Sequence, residues 1–204
     1  MKRRKLITTS SMSLIAACTK PPGVGSQTNK NVPTSPKETL EVPTIQCTQT
    51  QSQMEGPYYF LDMVASNDLR EGAEQGVVAL QGKVVDESCQ AIAGAKVEIW
   101  HANTEGEYDL SEAQRVHYGY VHTDSQGEFF VHTIIPGAYL NGPNIYRPKH
   151  YHIKIWRNDR EALTTQLYFH NDPNLVYEPN TPDNLKLSLT ETNHGWKSSY
   201  TFVV

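Results

Sequence analysis

The sharpest chemical signal in this sequence is the stretch R-P-K-H-Y-H-I-K-I-W, residues 147–156. On an extended strand side chains alternate between faces. His150 and His152 therefore project to one side, about 6 to 7 Å apart along the backbone, while Tyr151, Ile153 and Ile155 point to the other. Two imidazoles on one face can share a metal ion, although two surface histidines on an exposed strand would give the same pattern. The rest of the shell decides the metal. A cupin-type site wants a glutamate three or four residues beyond the second histidine, and Ile155 and Trp156 stand there instead. A zinc site of three histidines could borrow His132 or His170. Tyrosine offers a different completion: of eleven tyrosines, Tyr108 in A-N-T-E-G-E-Y-D and Tyr139 in I-I-P-G-A-Y-L each follow a glycine-bearing turn at the end of a predicted strand. Tyrosinate is a hard anionic oxygen donor that prefers iron(III), and a phenol with an ordinary pKa near 10 stays ionised at neutral pH only beside a strong positive charge. Without the histidine pair, both tyrosines would read as packing residues. The other histidines, His101, His117, His122 and His194 among them, read as loop or surface residues.

The elements that must position these groups are short. V-V-A-L-Q-G-K-V-V, A-K-V-E-I-W, G-E-F-F-V-H-T-I-I, Y-H-I-K-I-W, T-T-Q-L-Y-F and S-Y-T-F-V-V each have strand length and are separated by turn residues. The pattern predicts an all-β fold, an antiparallel β-sandwich with long active-site loops and little helix. Residues 110–116 and 158–164 could each hold a short helix. No internal repeat is present.

Ahead of this domain, residues 1–17 pair a basic cluster with a short apolar run and small residues ending at Cys18, the form of a secretion signal. It resembles a bacterial lipoprotein signal, which would be cleaved and leave Cys18 lipidated. Arg3-Arg4 followed by Leu6-Ile7 also resembles a twin-arginine signal. The apolar run is too short to span a bilayer as a helix. From Cys18 to residue 44 the chain is rich in Pro, Gly, Ser, Thr and Asn without apolar period, a flexible tether. Membrane contact is expected only through the N-terminal lipid. The folded domain, 45–204, would then face the periplasm or cell exterior. In that oxidising setting Cys47 and Cys89 form an even pair and are expected to be a disulfide. Net charge is -4 and becomes -8 once the four basic residues of the signal leave with no acid. With no basic cluster beyond the first five residues, nucleic acid is excluded as a partner.

The order W-x-A-N-x-x-G-x-Y, T-D-x-x-G-x-F, T-I-x-P-G-x-Y, R-P-x-H-x-H and T-Q-x-Y-F resembles the intradiol ring-cleavage dioxygenases, the group of protocatechuate and catechol dioxygenases, over roughly residues 53–172. The resemblance implies Fe(III) held by Tyr108, Tyr139, His150 and His152. It also implies a catechol-type substrate bound through both oxygens with release of axial Tyr139, and ring opening by O2 to a muconate-type diacid. Arg147 matches the arginine that stabilises the ring-derived anion. Trp100 and Gln166 match pocket positions, and E-G-P-Y-Y-F, residues 55–60, matches the segment over the active site, so Tyr58 or Tyr59 would touch substrate. The chain departs from the family in lacking a long helical dimerisation domain, which leaves a homo-oligomer open, and in carrying Tyr146 and His101 near the metal. The alternative is a transthyretin-like ligand-binding sandwich without catalysis, which has no need of an open metal position beside a fixed cation.

Overall fold

In the computed structural model, residues 47–111 and 115–204 are described; the signal, Cys18 and the tether fall outside them. The described residues form eleven strands: β1 (Val77–Val85), β2 (Lys96–Trp100), β3 (Tyr118–His122), β4 (Glu128–Ile134), β5 (Tyr139–Leu140), β6 (Tyr146–Arg147), β7 (His150–Arg157), β8 (Arg160–Phe169), β9 (Lys186–Leu187), β10 (Thr190–Thr192) and β11 (Gly195–Val203). They build a four-stranded sheet ordered β10-β11-β1-β4, a five-stranded sheet ordered β3-β2-β7-β8-β9, and a small β5-β6 ribbon.

The expected sandwich is present, with mixed rather than purely antiparallel sheets. β1 pairs with β11 in parallel, Val78 opposite Trp196 through Val85 opposite Val203, and β8 pairs with β9 in parallel. Alternating hydrophobicity states which face of a strand is buried and is silent on the direction of its partner. The helix expected over 158–164 is absent: Asn158 and Asp159, both at positive φ (51° and 58°), make a two-residue turn that pairs Arg157 with Arg160. Leu110, Ser111 and Arg115 are also outside any helix, and among the described residues the helical elements are two short 3-10 turns, Pro173–Tyr177 and Asp183–Leu185.

The main core fills the space between the sheets. Leu80, Val84, Phe129, Val131 and Phe202 from one meet Val97, Ile99, Tyr151, Ile153, Ile155 and Leu167 from the other. Gly82 is required where it stands, since a Cβ there would collide with the Phe129 ring that fills its place. Cys47 and Cys89 are joined in a disulfide that ties the start of the domain to the turn after β1. The outer face of the five-stranded sheet is also buried. Residues 54–60 run across it as a strap, anchored by Gln53 N–H donating to the Thr164 carbonyl and by Gln166 Nε2 donating to the Met54 carbonyl.

Candidate metal centre

The site lies under this strap. His150 and His152, two residues apart on β7, present Nε2 atoms 3.1 Å from each other. Tyr108 Oη lies 3.1 Å from His152 Nε2 and 3.5 Å from His150 Nε2. Three donor atoms on one small triangle are what a coordination shell with bonds of about 2.1 Å requires, since its edges are about 3 Å long. The tautomer of His150 is set by Nδ1–H donating to the Pro148 carbonyl at 2.6 Å, which turns the Nε2 lone pair toward the triangle. Burial holds both imidazoles neutral, the His150 pKa pushed down to about 4 and that of His152 well below its ordinary value. Neutral imidazole is the ligating form. Burial also raises the Tyr108 and Tyr139 phenols, the neighbouring hydroxyls adding to the effect, so a cation is needed to ionise them. The donor set thus fits a trivalent, oxygen-seeking metal.

Glycine makes the two tyrosine loops compatible. A Cβ on Gly137 would run into the backbone of Thr104 to Gly106, and one on Gly106 (φ +85°) into the Ala138 carbonyl. The loops carrying Tyr108 and Tyr139 therefore interlock backbone to backbone, with ring centroids 5.6 Å apart. Tyr139 sits 5.8 Å from the His150 ring, and its hydroxyl accepts from Arg147 Nη1 at 3.4 Å.

Arg147 is fixed on three sides. Nε donates to Glu178, Nη2 donates to Gln166 Oε1 at 2.9 Å, and Nη1 reaches Tyr139. Tyr168 Oη closes the network, 2.8 Å from Gln166 Oε1 and 3.2 Å from Glu178 Oε2. Gln166, fully buried, holds the arginine and the strap at once.

The strap separates its two tyrosines. Tyr58 stacks on Tyr108 at 4.1 Å and 17° and meets Tyr139 edge-on at 6.2 Å, so it roofs the donors. Tyr59 turns the other way and donates to Glu98 Oε2 at 2.9 Å beneath Lys154. Gly56 lies close enough that a Cβ would be 3.2 Å from His152 Cε1. Trp100 presents no surface to a substrate: it is fully buried and stacks on His152 at 4.8 Å and 7°, setting the imidazole plane.

The remaining histidines part company. His132 is on β4 against Phe130, and His170 lines a separate cavity of about 310 Å³, so neither completes a three-histidine shell. Among the described residues no group of three or more His, Cys, Asp or Glu side chains is placed to hold a metal. His101 and His117, expected in loops or at the surface, do stand outside the strands but are buried and stacked at 5.0 Å. His101 faces away from the donors: Nδ1 donates to the Ala102 carbonyl (2.8 Å) and Nε2 meets Thr133 Oγ1 (2.6 Å). Tyr146 is exposed on β6.

The family model described as Dioxygenase matches residues 54–198. Among curated proteins, the beta chain of protocatechuate 3,4-dioxygenase from Burkholderia cepacia is 32% identical over 160 residues, 68% of each chain. The chain belongs to the intradiol ring-cleavage dioxygenases. Catechol 1,2-dioxygenase from Acinetobacter guillouiae is 30% identical over 145 residues, 60% of this chain and 48% of that one, so this family member spans about half the length of such relatives. Among solved structures, the dioxygenase domain of a dioxygenase and carbohydrate-binding protein fusion from the cellulolytic bacterium Streptomyces sp. SirexAA-E superposes with a TM-score of 0.69 at 28% identity, covering 77% of this chain and 98% of that one. 3-Chlorocatechol 1,2-dioxygenase from Rhodococcus opacus 1CP gives a TM-score of 0.68 at 28% identity, covering 76% and 71%.

Sequence reasoning missed Glu178, Tyr168 and the two contacts that clamp the strap, Glu55 on buried Lys154 and Tyr59 on buried Glu98. Glu178 stands in L-V-Y-E-P with no motif around it and meets Arg147 across 31 residues. Lys154 did carry a signal, since it continues the outward alternation of His150 and His152.

Proposed function

We propose that this intradiol dioxygenase holds iron(III) through Tyr108, Tyr139, His150 and His152 and opens the ring of a catechol with O2 to a muconate-type diacid outside the cytoplasm. The observation that carries the reading is the triangle of Tyr108 Oη, His150 Nε2 and His152 Nε2 with edges of 3.1 to 3.5 Å. Bound iron(III) would supply the Lewis acidity that draws charge from both catechol oxygens.

The chain's own groups would do the rest. Tyr139, tied to Arg147 rather than to the histidines, is the donor free to leave, and its phenolic oxygen would accept a proton from the catechol as it does so. Arg147 stays beside that oxygen and stabilises negative charge developing on the ring, because Glu178 and Gln166 prevent it from swinging away. Tyr58 and the strap keep water from the reacting face. Export and lipid attachment at Cys18 rest on the N-terminal sequence, and the Cys47–Cys89 disulfide suits an oxidising compartment.

Protein purified from cells grown in iron should be red-brown, the absorption of tyrosinate on iron(III). A colourless, iron-free preparation refutes the reading. Tyr139→Phe should keep iron, shift the visible band and slow catechol turnover. An unchanged spectrum would show that Tyr139 is not a ligand.

A further inference from the structure

We infer that the site selects catechols carrying no ring carboxylate and that Glu178 enforces this selection; the inference rests on reading the site as a catechol pocket. Arg147 is the guanidinium in contact with the donors, its Nη1 3.4 Å from the Tyr139 hydroxyl. A substrate carboxylate would look to that guanidinium for its counter-charge, and the guanidinium is already taken. Its Nε donates to Glu178, its Nη2 donates to Gln166 at 2.9 Å, and its Nη1 faces Tyr139 at 3.4 Å. The side chain is only 12% exposed. Glu178 is held in turn, its second oxygen 3.2 Å from the Tyr168 hydroxyl.

Two other basic groups lie nearby. Lys154 is paired with Glu55 and Glu161. Arg115 lies 3.8 Å over the Phe60 ring, and its buried Nε has no hydrogen-bond partner among the described residues, so it is the alternative anchor that the test has to separate. The charge of bound iron(III) would already be matched by the Tyr108 phenolate and a catecholate dianion, since Tyr139 takes up a proton as it leaves. A further carboxylate at Arg147 would lose its water beside Glu178 and find the guanidinium already paired, and an incompletely compensated charge in a closed site is disfavoured. A neutral substituent of the same size carries no such cost. Selection thus comes from a repulsive element built into the site.

The test uses two ligands of equal shape and different charge, 3,4-dihydroxybenzamide and 3,4-dihydroxybenzoate. Each is titrated without oxygen into the iron-loaded mature chain, and Kd is read from the shift of the visible band. The amide should bind at least tenfold more tightly to the wild type. Glu178→Gln, which keeps a partner for Tyr168 and removes the charge, should bring the ratio to within threefold, and Glu178→Asp should preserve it. Benzoate binding to the wild type as tightly as amide overturns the inference whether or not the variants fold. So does a ratio unchanged in Glu178→Gln, or benzoate affinity that is lost in Arg115→Gln, which would make Arg115 the anchor. If neither ligand moves the band, the catechol-pocket reading itself has failed, and the inference with it.

Discussion

On one face of β7, Tyr151, Ile153 and Ile155 pack into the core between the sheets; on the other, His150, His152 and Lys154 lie under the strap. All six are buried, so burial does not separate core from site. The inner face is satisfied largely by apolar contact, which is non-directional and tolerates repacking of similar volume. The outer face is satisfied atom by atom: Pro148 for His150 Nδ1, Trp100 for the His152 plane, Glu55 and Glu161 for Lys154. One backbone thus carries a surface that needs only volume and a surface that needs particular partners from four other segments.

That contrast can be broken experimentally. The largest effect is expected on the outer face: His152→Ala should cut bound iron and catechol turnover by at least about 100-fold, measured by metal analysis and oxygen uptake, because a donor is gone rather than reoriented. Ile153→Ala, one residue away, should do the reverse. A cavity in the core should lower unfolding free energy by about 2 to 5 kcal/mol in urea titration while the folded protein keeps its iron and colour. Loss of colour in folded Ile153→Ala would show that the two faces are not separable.

A smaller effect sharpens the comparison at His101, a polar residue on the core side. Burial pushes its pKa down to about 3, whereas the unfolded chain binds a proton near 6.5. Between those values the unfolded state holds the extra proton, so stability rises with pH and is lost as pH falls through the window. In metal-free protein, His101→Gln should flatten the pH dependence of unfolding free energy between pH 6 and pH 4 by up to about 1.4 kcal/mol per pH unit relative to wild type. Parallel profiles for the two proteins would show that His101 is protonated in the fold.

Much of this was legible in the residues. The alternation in R-P-K-H-Y-H-I-K-I-W set the two faces of β7, and the glycines before Tyr108 and Tyr139 marked the turns that interlock. Local sequence encodes local geometry, so a period of two or a left-handed turn can be read directly. The burial of His101 was not legible, because the partner that receives it, Thr133, lies on the opposite sheet. The parallel pairing of β1 with β11 was equally hidden, since the pattern of either strand alone suits both directions.

By itself, then, the sequence determined six of the longer strands and their buried faces, since these follow from short-range spacing, while Tyr108, Tyr139, His150, His152 and Arg147 came as a set through the resemblance to a family. Only the tertiary structure decided that Tyr58 roofs the site while Tyr59 anchors the strap, that Trp100 supports an imidazole, and that Glu178 occupies the guanidinium of Arg147. These are contacts between segments far apart in the chain, and their geometry exists only after the sheets have packed and the strap has closed over them.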